Sequence, residues 1–234
     1  MLARSLLYVA ALLLAITSFS ACSQQDKPAE GQTPPAEGAE PSEGEVDMAG
    51  QFQSIDETLR RAGWHAKRSN QEAAPLFSDV ATLLTEYAAT ASASVKEDLQ
   101  YSASELTGLS ERIYSGPPIT AKEVNVANAY TYWALAAYHQ EQAAQTWPDG
   151  NLQETTMHLD AIANFIYAAS GYAGGPVRTP GRSLSQKTKD LVAQLEGEPA
   201  PASDAVSQQI QEIGQEIRQL STRLKQFLAR TTIS

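Results

Sequence analysis

The chain has 234 residues, enough for an N-terminal targeting segment and one domain of ordinary size. It carries 27 acidic and 17 basic residues, a formal net charge of −10, which is opposite in sign to the charge that nucleic-acid binding requires. A nucleic-acid partner is therefore not expected. Cys22 is the single cysteine, so an internal disulfide is excluded and the folded domain depends on packing for its stability.

The first 21 residues have the pattern of a secretory signal. Arg4 precedes an apolar run over residues 5–16, which is shorter than the about 20 residues that a bilayer-spanning helix needs. We therefore predict a processed signal peptide over residues 1–21 rather than a permanent membrane helix.

The signal ends in Phe19-Ser20-Ala21-Cys22, and this stretch resembles the lipobox of bacterial lipoproteins. The resemblance covers residues 1–23. It implies cleavage before Cys22 and attachment of fatty acyl chains, such as palmitate, to that cysteine. Phe19 departs from the aliphatic residue that the pattern prefers. Ser23, rather than aspartate, follows the cysteine, which implies a lipid-anchored place in the cell envelope, at the outer membrane and facing the periplasm or the cell surface.

Residues 22–50 are predicted to form a disordered acidic linker behind the lipidated cysteine. The segment is rich in Pro, Glu, Gly, Ala and Ser, and residues 23–48 contain seven acids and one base, a local charge of −6. Such a composition buries too little apolar surface to offset the entropy of ordering. We assign residues 51–230 to an α-helical domain and residues 231–234 to a short tail.

Three stretches of helical periodicity open this domain. Phe52, Ile55, Leu59 and Ala62 form the first apolar stripe, and four basic residues follow in the sense that suits a helix dipole. Residues 76–114 then read either as one long helix or as two helices separated near Ser92, and the long form is favoured because neither Gly nor Pro interrupts residues 76–107. The sequence Ser-Gly-Pro-Pro at 115–118 ends it.

Residues 120–170 form the most apolar part of the domain and are predicted to be a helical hairpin. Thr120 and Glu123 have the spacing of a capping box, and the following apolar surface covers more than half of the helix circumference. Trp147-Pro148-Asp149-Gly150 interrupts the pattern, which restarts at Asn151.

The C-terminal part contains two more predicted helices. Four glycines and two prolines in residues 171–182 predict an irregular loop, after which Ser183 and Gln186 resemble a capping box. The last helix, at about 203–230, has a heptad pattern. This pattern favours packing within the chain; the alternative is a homo-oligomer or another partner paired through residues 203–230. The sequence thus predicts an all-α bundle of about five to six helices.

No catalytic motif is apparent. The sequence contains no Gly-x-Ser-x-Gly, phosphate loop or His-Glu-x-x-His, so we expect no enzyme, no cofactor and no metal. His139 and His158 fall at similar heights on the two helices of the hairpin and make a metal site conceivable, but the favoured interpretation is that both are surface or helix-flank residues.

Aromatic residues are the remaining candidates for binding. They cluster along the hairpin and suggest either bundle core, which is favoured, or a binding groove. The loop at 171–182 adds two arginines, so the candidate binding residues are Tyr130, Trp133, Tyr138, Tyr172, Arg178 and Arg182.

We expect a membrane-anchored cell-envelope lipoprotein that presents a helical interaction surface to a protein partner, without catalysis. The alternative is a periplasmic helical bundle that binds a small ligand or a metal.

Overall fold

The computed structural model describes residues 48–197 and 201–232. These residues form seven α-helices and no strand, which confirms the all-α class and corrects the predicted number of five to six helices. The helices are α1 (Met48–Ala66), α2 (Ala73–Thr90), α3 (Ala93–Ser115), α4 (Ala121–Thr146), α5 (Leu152–Ala173), α6 (Gly175–Glu196) and α7 (Ser203–Thr232). The predicted signal, Cys22 and the linker up to residue 47 lie outside the described residues. None of the seven helices is both long and apolar enough to cross a membrane.

Helix α4 is the centre of the bundle and contacts α1, α3, α5 and α7. It begins with the predicted capping box: the Thr120 hydroxyl accepts from the Glu123 backbone N–H, and the Glu123 carboxylate accepts from the Thr120 N–H. Its bulky residues Tyr132, Trp133 and Leu135 are all buried. The broad apolar surface that the sequence predicted on this helix is therefore confirmed.

The predicted hairpin and the predicted last helix are also present. Asn151 caps α5 by accepting from the Glu154 backbone N–H, so the chain turns between Thr146 and Leu152 as expected. The heptad residues of α7 are buried against α4 and α6 of the same chain, as the favoured interpretation expected: Val206, Ile210, Ile213, Ile217, Leu220 and Leu224.

The favoured single helix over residues 76–114 is wrong. The chain leaves the helical conformation at Ala91 and Ser92, whose ψ values are 156° and 162°. Both the backbone N–H and the hydroxyl of Ser92 donate to the Glu141 carboxylate on α4. The break is thus fixed by a partner 49 residues away, and no local Gly or Pro signals it.

The predicted irregular loop at 171–182 is also wrong. Helix α5 continues to Ala173 and α6 starts at Gly175, so that two consecutive glycines, Gly174 and Gly175, make the reversal with φ values of +61° and +50°. Gly181 lies inside α6, where a Cβ would be 2.8 Å from the Ser170 Cβ. The glycines therefore permit a tight turn and a close crossing of two helices. Ser183 lies within α6 and starts no helix of its own.

Candidate functional site

The C-terminal half of α1 carries a basic surface. Residues 60–68 contain four basic residues and no acid, in a chain whose net charge is −10. The apolar stripe of α1, which includes Leu59 and Ala62, faces the core, so the charged residues lie on its exposed side. Arg60 pairs with Glu57 at 2.8 Å, whereas Arg61 and Lys67 have no ion-pair partner among the described residues.

Trp64 stands at the exposed side of the same helix. Its side chain is 53% exposed, although it is one of the largest apolar groups of the described part of the chain. The Arg68 guanidinium lies 4.0 Å from the centre of the Trp64 ring, and its Nη1 donates to the Trp64 carbonyl. The arginine therefore holds the indole in place through a cation–π contact.

A groove of about 390 Å³ runs beside this basic surface. We call it the α1 groove. It is bounded by α1 residues from Glu57 to Arg68, by Val124, Asn125 and Asn128 of α4, and by Tyr172 of α5. Gly63 brings the helices together, since a Cβ there would be 3.1 Å from Val124 Cγ1 and 3.9 Å from Asn128 Nδ2.

Asn128 lines the groove with an unpaired side-chain amide. It is only 1% exposed, and neither its Nδ2 nor its Oδ1 has a hydrogen-bond partner among the described residues. The Tyr172 hydroxyl lies close enough for the amide to lower the pKa of the phenol, against the larger upward effect of burial, but the pair does not reach hydrogen-bond geometry. Leaving a buried polar group unpaired costs about 1–3 kcal/mol, so this amide needs an explanation.

The wall of the groove behind Tyr172 is formed by stacked aromatic rings. The Tyr172 ring stacks on Tyr132 with centroids 5.6 Å apart, and the buried Tyr132 hydroxyl donates to Asp56 Oδ1 at 2.8 Å. Burial and the neighbouring Asp56 charge raise the pKa of Tyr132 and of Tyr172, so both phenols are neutral at physiological pH. Tyr172 is therefore a fixed neutral hydroxyl beside the Asn128 amide.

The second polar feature of the hairpin is a pair of histidines between α4 and α5. His139 and His158 are 2% and 7% exposed, and their Nδ1 atoms are 3.1 Å apart, so one ring donates to the other. The similar height predicted for them is confirmed, and the favoured surface location is wrong. Phe165 stacks on the His139 ring with centroids 5.4 Å apart. The sequence pattern did not predict the burial of His139, because α4 is buried on nearly all sides and not only along its apolar stripe.

Burial keeps both histidines neutral. It lowers the pKa of His139 to about 3, and the neighbouring His158 adds to this effect. Burial also lowers the pKa of His158, against the opposing attraction of the Glu154 carboxylate, which lies 3.8 Å from its Nε2. No group of three or more potential metal ligands occurs among the described residues. The pair offers two facing nitrogens, whereas a structural zinc site takes four ligands.

The six candidate binding residues do not meet in one place. Tyr172 lies in the α1 groove. The other five face different neighbours. Tyr130 packs edge-on against Tyr101 of α3, and Tyr138 stacks on Tyr87 of α2. Trp133 is buried near Gly181, Arg178 is exposed on α6, and Arg182 lies over the Tyr167 ring. The favoured core interpretation is confirmed for Tyr130 and Trp133, which are buried.

Three residues of the groove, Trp64, Arg68 and Asn128, were not singled out as binding candidates from the sequence. The dense basic stretch at 60–68 is a signal for the first two, but it also suits the helix dipole. Comparison of the chain with protein-family models, with curated proteins and with solved structures finds no match.

Proposed function

We propose that the chain is a lipoprotein of the cell envelope, anchored through acylated Cys22, whose helical domain docks a protein partner at the α1 groove without catalysis. The lipobox resemblance supports the anchor. The acidic linker supports a domain that stands off the membrane, because its charge of −6 is repelled by an anionic surface. Two or three acyl chains, at about 0.8 kcal/mol per buried methylene, give durable anchoring at the outer membrane.

The observation that carries the docking proposal is the pair formed by Trp64 and Arg68. An exposed indole, held by a guanidinium 4.0 Å away at the edge of a groove, has the character of an interface anchor. Tryptophan and arginine are enriched among the residues that dominate binding energy at protein interfaces. Arg61 and Lys67 add positive charge that no ion pair among the described residues neutralises, so the partner surface that fits is acidic.

Site-specific photocrosslinking in intact cells tests the docking proposal. A photoreactive residue at position 64 is expected to give a discrete protein adduct, and the double variant Arg61→Gln/Lys67→Gln is expected to weaken it. Tyr114, which is 60% exposed on α3 and outside the groove, is the matched control position. Equal adducts from positions 64 and 114, or none from position 64, would overturn the proposal.

The anchor is tested separately with Cys22→Ser. The variant is expected to lose the acyl mass seen by mass spectrometry of the purified chain and to leave the membrane fraction. A Cys22→Ser chain that stays with the membrane would contradict an anchor at this residue.

A further inference from the structure

We propose that the α1 groove contains a subsite for an oxyanion, a carboxylate or a phosphate group, which receives a hydrogen bond from the Asn128 amide at the base of the groove. The inference rests on the proposed function in one respect: the oxyanion is the group by which an acidic partner would enter the groove. The subsite itself follows from the side chains that line it.

The Asn128 amide is a buried polar group at the groove. The side chain is 1% exposed, lines the groove, and has neither its Nδ2 nor its Oδ1 paired among the described residues. Arg112 Nε and Trp133 Nε1 are also buried and unpaired. Arg112 already binds Glu123 through Nη1, and Trp133 lies in the core. Asn128 differs because its amide borders a groove in which Arg61 and Lys67 have no ion-pair partner among the described residues.

The lining of the groove carries positive charge. Arg61 and Lys67 line the groove without an ion-pair partner among the described residues, and the Arg68 guanidinium contacts Trp64. Glu57, the one acid among the described residues that line the groove, pairs with Arg60 at 2.8 Å. The lining therefore has an excess of positive charge. An anion in the groove gains hydrogen bonds to charged donors, which are stronger than those between neutral groups.

The size and shape of the α1 groove suit a small anionic group. A volume of about 390 Å³ is at the small end of the range for ligand pockets. It admits a carboxylate or phosphate with a few attached atoms, such as an acidic side chain. Gly63 keeps the space beside the amide open, because a side chain there would meet Val124 at 3.1 Å and approach Asn128 Nδ2. The Tyr172 hydroxyl adds a neutral donor at the wall.

The experiment is an ¹H–¹⁵N NMR titration of the mature acylated chain in micelles. The probes are sodium phosphate and sodium acetate, with sodium chloride at matched ionic strength as the control. The side-chain NH₂ signals of Asn128 are expected to move and saturate with phosphate, acetate or both, and to stay in place with chloride. The stronger of the two responses distinguishes a phosphate from a carboxylate source. Non-saturating shifts with all three salts would show an adventitious ion only and overturn the subsite.

Variants connect the response to the groove. In Asn128→Leu the anion-dependent shifts of the groove backbone amides should disappear, and Arg61→Gln/Lys67→Gln should weaken binding about tenfold, as expected for lost charged hydrogen bonds. Arg218→Gln/Arg223→Gln removes the same charge from the exposed side of α7 and should leave the affinity unchanged. Tyr172→Phe, which removes only a hydroxyl, keeps the test valid if Asn128→Leu does not fold, and should weaken binding.

The subsite and the docking proposal fail separately. If phosphate or acetate reaches Asn128 but position 64 captures no protein, docking is wrong and the subsite stands. If position 64 captures a partner and neither anion moves the Asn128 signals, the subsite is wrong and docking stands.

Discussion

Asn128 and His139 lie on the same helix and on the same side of it, yet their polar groups are in opposite states. They are 11 residues apart, about three turns of α4, which returns the helix to within about 20° of the same direction. Both are nearly inaccessible, at 1% and 2% exposure. The His139 Nδ1 finds a partner in His158 at 3.1 Å, whereas the Asn128 amide has none among the described residues.

The difference separates a structural polar group from a candidate binding group. A buried hydrogen-bonded pair fixes how α4 and α5 pack, and the two Nδ1 atoms occupy each other. A buried unpaired amide reduces stability unless something outside the chain satisfies it. Along one helix face, the region of the histidine pair is therefore closed, whereas the region of Asn128 opens into a groove where Arg61 and Lys67 have no ion-pair partner among the described residues.

Loss of aromatic packing should give the largest effect. Phe165 is 1% exposed and contacts the His139, Phe52 and Tyr132 rings. Phe165→Ala is expected to lower the free energy of unfolding by about 3–5 kcal/mol, the usual cost of such a cavity. Trp64→Ala, at the open groove, should cost less than about 1 kcal/mol. Urea denaturation measures both changes in the free energy of unfolding. Similar losses would contradict the distinction between a closed region around the histidine pair and an open region around Asn128.

Breaking the histidine pair should have the next largest effect. His158→Leu leaves His139 Nδ1 buried without its partner, so the free energy of unfolding should fall by about 1–3 kcal/mol. The double variant His139→Leu/His158→Leu removes both polar groups and should recover most of that loss. Additive losses in this double-mutant cycle would show that the two rings do not act as a pair.

Acidification should destabilise the closed region. Because burial lowers the pKa of His139 to about 3, the unfolded chain binds more protons than the folded chain once the pH falls below about 6.5. The free energy of unfolding should therefore fall as the pH decreases, by on the order of 2 kcal/mol between about pH 7 and pH 5. His139→Leu/His158→Leu should be nearly flat over this window. An equally steep dependence in the double variant would assign the effect to other groups.

Neutralising the groove should barely affect stability. Arg61 and Lys67 have no ion-pair partner among the described residues, so Arg61→Gln/Lys67→Gln should change the free energy of unfolding by less than about 0.5 kcal/mol. Lys187→Gln, which breaks contacts to both Glu212 and Glu216, is the comparison and should cost more. A clear loss of stability in the groove variant would mean that these cations serve the fold.

Most of the helices could be predicted from local signals. The capping box at Thr120, the interruption at Trp147-Pro148-Asp149-Gly150 and the heptads of α7 are all local patterns, and each marks the element that forms. The break at Ser92 could not be predicted, because Glu141 is brought to it only by the fold. The role of the glycines at 171–182 could not be predicted from the sequence. Gly181 permits a close crossing of two helices, and this becomes visible only when its neighbour Ser170 on α5 is known.

Less of the candidate site could be predicted. Tyr172 was identified, and His139 and His158 were placed at similar heights, but their burial depends on helices that pack around α4. Asn128 carries no signal in the sequence, since a single asparagine in an apolar helix pattern does not reveal whether a partner faces it. Its unpaired state is a property of the crossing of α1, α4 and α5.

The most direct test compares the unfolding free energies of Asn128→Leu and His158→Leu in one urea series. We expect opposite results: Asn128→Leu should be as stable as the parent chain or more stable by up to about 1 kcal/mol, since it removes a polar group that has no partner among the described residues, whereas His158→Leu should be less stable. If Asn128→Leu loses as much stability as His158→Leu, the amide is satisfied within the fold, and the distinction between the two regions is wrong.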